Sequence, residues 1–205
     1  MSGMTTAHLL FRRRICWLLL ASIAAGALFS PLVPPLTLVP NLAVLLLLGL
    51  VLPWVLGSTY QRRQALIAGL ACGLAFALSQ SAFIWLVERS SKIFTGFYIY
   101  DQGWSVPAFA LMGGMTSMLV HAFRQRKWLY GCLFALLAVT TELVYGQYFL
   151  VKRVLSPELW PARTYLFPLA LACCFLAFFL LSHFYSLTML GNFTKMEVSG
   201  HGSAK

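Results

Sequence analysis

Charge is what this sequence has least of. Asp, Glu, Lys and Arg make up 10% of its 205 residues, against about 25% in a water-soluble domain. With 60% hydrophobic residues and a mean hydropathy of +0.81, that scarcity excludes an ordinary soluble fold, a disordered tail and a secreted disulfide scaffold. Acidic groups are scarcer still. Five Asp and Glu and four His must supply every general acid, base and metal ligand. The five cysteines, Cys16, Cys72, Cys132, Cys173 and Cys174, show no CxxC or His-associated spacing and read as small apolar side chains. Clustered catalytic residues at one depth are missing too, so the chain reads as no enzyme, and no cofactor or metal is called for.

What is present is long apolar runs. Six stretches lack Lys, Arg and Asp, at 15–33, 41–57, 65–87, 106–123, 128–150 and 164–190. Each is long enough to cross roughly 30 Å of hydrocarbon at about 1.5 Å per residue. Continuous apolarity favours helices over a barrel, whose strands alternate apolar and polar. The expectation is an all-α polytopic membrane protein, one integral domain over 1–205 with a tail at 191–205. The first run continues past the length of a signal-peptide core and reads as a retained anchor.

Basic residues set the orientation, because short loops rich in Lys and Arg stay cytoplasmic. Arg12, Arg13, Arg14, Arg62, Arg63, Arg124, Arg126, Lys127, Lys195 and Lys205 fall on one side. Arg89, Lys92, Lys152, Arg153 and Arg163 fall on the other, diluted by Glu88, Asp101 and Glu158. Both termini are therefore expected inside. The net charge of +10 reads as a topology signal and an affinity for anionic lipid, not nucleic acid, since no basic domain lies outside the runs.

Breakers shape the outer side. Pro31, Pro34, Pro35 and Pro40 stiffen the first outer connection, and Pro107 is placed in the first turn of the fourth run. The stretch 88–105 reads as a long aromatic loop carrying Phe94, Phe97, Tyr98, Tyr100 and Trp104. It is expected to lie on the membrane interface or to cover an outward pocket. A second outer loop is expected at 151–163.

One acidic residue, Glu142, falls inside a run, and a carboxyl there is a functional candidate by default. Gln80 counts to a similar depth from the cytoplasmic side. Ala65, Gly69, Gly73 and Ala77 repeat every four residues, a pattern that lets backbones approach closely, and Gln80 continues that stripe. Gly131, Ala135, Ala138, Glu142 and Tyr145 line one face of the fifth run. A Gln80–Glu142 hydrogen bond between the third and fifth helices follows as an expectation. Tyr145, Asn41, Trp104 and Tyr100 join them as contacts for a partner or a small-molecule ligand in the outer half. His121 and His183 fall in the inner part, too far to join Glu142.

The segment VPNLAVLLLLGLVLP at 39–53, its basic turn, the Gly-rich third helix QALIAGLACGLAFAL and the later LSPELWP at 155–161 resemble the rod shape-determining protein MreD. That resemblance implies a six-helix scaffold of the bacterial inner membrane, working beside MreC and other integral membrane proteins in cell-wall elongation. Where that family carries an acidic residue near the end of the third helix, this chain has Ser79 and Gln80. The chain is also similar to the six-helix substrate-binding S-components of energy-coupling-factor vitamin transporters. Ala21 and Ala25 form an AxxxA pair like the surface those proteins use to dock a coupling subunit. That likeness implies small-solute uptake, with ATP hydrolysed by a partner.

Overall fold

The computed structural model describes residues 3–29, 43, 46–47, 49–51, 61–88, 96–154 and 160–200. Among these residues the chain is helical throughout, apart from short connections, and contains no strand. The named helices are α1 (Gly3–Phe29), α2 (Arg62–Glu88), α3 (Gly96–Arg124), α4 (Trp128–Val154) and α5 (Trp160–Gly200). Four contain stretches long and apolar enough to cross a membrane: Arg62–Phe83, Gly103–Arg124, Trp128–Gly146 and Leu166–Met189.

Side-chain contacts set the direction of each helix. Leu18 packs with Ala65, Ala68 and Cys72. Further along both helices, Ser79 donates to the Ile23 carbonyl at 2.6 Å, and a Cβ on Gly26 would fall on the Phe76 carbonyl oxygen. Contacts that advance together make α1 and α2 parallel. Helical positions at Ala43, Leu46, Leu47 and 49–51 lie between them in the chain, and Gly49 sits against Thr116 of α3, a Cβ there falling 3.3 Å from its carbonyl oxygen. Six helices result. Elsewhere neighbours alternate: Gly73 meets Phe109 and Gly69 meets Ser117, so α2 and α3 are antiparallel. Tyr145 meets Phe109 and Phe123 meets Trp128, so α3 and α4 are antiparallel as well.

The centre of the molecule is α3. It contacts α2, α4 and α5, and every side chain from Leu111 to Met118 is buried. Small residues permit this enclosure. Gly69 and Gly73 face Gly113 so closely that a Cβ on any of the three would strike the opposing backbone, while Gly114 sits beneath Leu70 of α2 and Phe178 of α5. Without a strong hydrophobic drive between helices in lipid, such contact is a main source of packing energy there.

Three expectations about the connections change. The stretch expected to be an aromatic loop is helical from Gly96 onward, so Tyr100 and Trp104 lie on α3 and Glu88 is the last residue of α2. Pro107 consequently sits well inside α3. Proline removes one intrahelical hydrogen bond, and the turns beside it are held from outside. Ser105 Oγ lies 3.4 Å from Ser81 Oγ on α2, and Trp104 packs edge-on against Phe167 of α5 at 6.1 Å. Finally, α4 runs to Val154 and α5 begins at Trp160, which confines the connection expected at 151–163 to 155–159. Helix α5 then continues to Gly200, through most of the expected tail.

The turn joining α3 to α4 closes with a two-bond cap. Lys127 N–H donates to the Ala122 carbonyl at 2.9 Å and Arg126 N–H to the Phe123 carbonyl at 3.0 Å. Arg126 takes φ 55, the left-handed position that glycine usually fills in this motif. Gly131 lies under the Phe123 ring, where a Cβ would collide with it.

Candidate functional site

Polar side chains inside the bundle gather at two levels. At the level of Phe109, α4 contributes Thr141, Glu142 and Tyr145 on successive positions of its buried face, beyond Ala138 and Phe134. Thr141 donates to its own helix at the Leu137 carbonyl, 2.8 Å away, and touches Met115 Sδ at 3.6 Å. Tyr145 packs edge-on against Phe109 at 5.1 Å and tilts over Phe167 at 6.4 Å. Phe109 in turn meets Phe76 of α2 at 5.4 Å. With Trp104, these rings interlock four helices across that half of the bundle.

Glu142 lies within this apolar surrounding at 5% exposure, and both of its carboxyl oxygens are buried without a hydrogen-bond partner among the described residues. The expected Gln80–Glu142 bond is therefore not formed. Two geometric reasons account for it. Helix α3 runs between α2 and α4, which do not meet among the described residues. The levels differ as well: Gln80 adjoins Ser81, opposite Ser105, whereas Glu142 sits between the Phe109 and Met115 levels of the same helix. Seven residues of helix correspond to about 10 Å. Gln80 is buried and has a partner of its own.

The other expected contacts scatter. Trp104 is half-buried against Phe167. Tyr100 lies on α3 with a side chain outside the described residues, and Asn41 lies outside them altogether. Gly69, Gly73 and Ala77 are buried on α2. On α1 the buried stripe is Leu18, Ser22 and Gly26, with the Ser22 hydroxyl returned to the Leu18 carbonyl at 2.8 Å. Ala21 is exposed and Ala25 is half-buried against the main core.

The second level, toward the α3–α4 turn, holds a polar group that the spacing of the sequence does not announce. His121 Nδ1 and Tyr185 Oη share a buried hydrogen bond of 3.0 Å between α3 and α5. Tyr185 is fully enclosed by Tyr130, Phe134 and the His121 ring. One turn before it on α5, the Ser182 carbonyl accepts a 2.8 Å hydrogen bond from Arg62 Nη1 at the start of α2. Arg124 follows His121 by one turn on α3. A periodic signal for this face does exist. Phe167, Leu171, Cys174, Phe178, Ser182 and Tyr185 are buried and recur at helical spacings of three and four. His183, on the opposite face, is exposed.

Among the described residues no three His, Cys, Asp or Glu side chains come together as a metal-holding group. Comparison with protein-family models, with curated proteins and with solved structures finds no match in any of the three.

Proposed function

We propose that this chain is a multi-pass subunit of a bacterial inner membrane, with both ends cytoplasmic, that acts as a non-enzymatic scaffold within a membrane complex. Its outward surface supports the membrane setting. Trp17, Leu28, Leu78, Leu136, Leu176 and Phe179 are each more than half exposed, and contiguous apolar surface of this kind on several helices is a liability in water and ordinary in lipid. The observation that carries the scaffold reading is the outer half of the core. Trp104, Phe76, Phe109, Tyr145 and Phe167 meet ring to ring at 5.1 to 6.4 Å, in the place where a solute-binding subunit needs a chamber.

The resemblance to MreD supplies the kind of complex: cell-shape or cell-wall elongation machinery, with other integral membrane proteins as partners. Solute uptake is the competing role. Isolation of the full-length protein in mild detergent, followed by mass spectrometry, separates the two. The scaffold reading expects cell-wall elongation proteins to co-purify. A stoichiometric small molecule together with ATPase-linked subunits would replace it with uptake, and recovery of neither set would defeat both.

A further inference from the structure

We propose that Glu142 is a binding site for a single proton, closed over by the seam between α3 and α4, so that uptake and release of the proton require that seam to open. The inference rests on the packing of α4 and stands apart from the scaffold reading. Glu142 is 5% exposed, and both of its carboxyl oxygens are buried without a hydrogen-bond partner among the described residues. Its neighbours on the buried face of α4 carry the seam. One residue before it, Thr141 returns its hydroxyl to the Leu137 carbonyl at 2.8 Å, beside Met115 Sδ of α3. Three residues after it, Tyr145 packs on Phe109 of α3 at 5.1 Å and over Phe167 of α5 at 6.4 Å. The carboxyl is thus covered by contacts to α3 on either side along the helix.

The elements packed around α4 bring no charge to this place. From Val106 to Val120, α3 has no residue that titrates. Over Phe167–Phe178, α5 has Cys173, which is exposed, and Cys174, buried in the core. The helical positions 43, 46–47 and 49–51, of which Gly49 meets α3 at Thr116, are Ala, Leu, Gly and Val. Helices α1 and α2 do not meet α4 among the described residues. On α4 itself the titratable neighbours are Tyr145 and, with a side chain outside the described residues, Tyr148. An ionised carboxylate there has neither a counter-charge nor a donor, and an apolar interior penalises it far more than the neutral acid. The acid is the form these walls accommodate, and an acid held in that way stores one proton. Packing alone has no need of a carboxyl, since leucine fills a similar space without the polar oxygens. Water and cations gain access to those oxygens when Thr141 and Tyr145 part from α3, a motion that involves only α4 and its two neighbours, α3 and α5.

The test is infrared spectroscopy of the full-length protein in detergent micelles at neutral pH, reading the carbonyl stretch of a protonated carboxylic acid. The proposal expects that band in the native protein and its loss in Glu142→Gln. Should the glutamine variant fail to fold, Glu142→Leu provides the same reading. No such band, or a band that survives both substitutions, would overturn the proposal. An ion pair with Arg89 or Lys92, which lie outside the described residues, would give the first of those results. Transfer to D2O is the second arm. A bound proton that exchanges moves the band to lower frequency, whereas a band that never moves would show a locked structural acid and overturn the binding site. Tyr145→Ala, which uncovers one side of the carboxyl, is expected to speed that shift several-fold. An unchanged rate would overturn the closure by the α3–α4 seam. None of these readings depends on which proteins co-purify, so their failure is distinct from failure of the scaffold reading.

Discussion

Helix α3 is held on its two sides by opposite means. Toward α2, Gly69, Gly73 and Gly113 bring backbone onto backbone, leaving no room for a single added carbon. Toward α4 and α5, large side chains fill the gap: Phe134 meets Phe178 and Tyr185 at 6.0 Å each, and Phe109 meets Tyr145. In the proposed membrane setting, where burying an apolar group away from lipid gains little, both arrangements work by contact. They differ in what they tolerate. The glycine seam is intolerant of size in one direction only, whereas the ring seam loses contact when trimmed and has polar groups, Glu142 and the His121–Tyr185 pair, set among its rings.

Substitutions can break that contrast. The largest effect is expected from Gly73→Leu, whose side chain must push the α2 and α3 backbones apart; a loss of about 3 kcal/mol, the upper end of overpacking costs, should appear in SDS titration of mixed micelles. A well-tolerated leucine would mean the seam is not close-packed. Phe178→Ala comes next, at about 2 kcal/mol, because the cavity share of a core truncation remains while the transfer share shrinks beside lipid. Glu142→Leu is expected to stabilise by about 1 kcal/mol, since it removes a buried carboxyl without a partner among the described residues. A loss of stability in the same titration would reveal a partner beyond the described residues. Smallest is Tyr185→Phe, which keeps the ring and deletes the bond to His121. The expected cost is about 0.6 kcal/mol, the average for polar contacts between membrane helices.

The legible and illegible features of the fold divide along the same line. Apolar runs and the four-residue repeat of Ala65, Gly69, Gly73 and Ala77 are patterns within one helix, readable from spacing. Which helix approaches the repeat is not. Spacing points to the fifth run as its neighbour, and the structure places α3 there, because Gly113 supplies a matching small residue that composition alone does not distinguish from other glycines. Depth counted from the start of a run also misleads for Gln80 and Glu142, since helices that begin at different heights do not keep register. Pro107 reads as a first-turn residue and the aromatic stretch before it as a loop, yet α3 runs through both, with Ser105 beside Ser81 of α2 and Trp104 against Phe167 of α5. Arg126 in a left-handed turn position leaves no glycine to mark the cap. The polar group around His121 and Tyr185 joins residues from three helices, so only the parallel course of α3 and α5 reveals it.

One measurement bears most directly on the proposed membrane setting, in which the end of the bundle that carries Arg62 and Arg124 faces the cytoplasm. In a cysteine-free background, a thiol is placed at Gly103, on the outer portion of α3 where an added Cβ meets nothing within 4 Å, or at Gln125, exposed in the α3–α4 turn. Intact cells are then treated with a membrane-impermeant maleimide. The account predicts labelling at position 103 and none at 125 until the membrane is opened. Labelling at 125 with protection at 103 would contradict it.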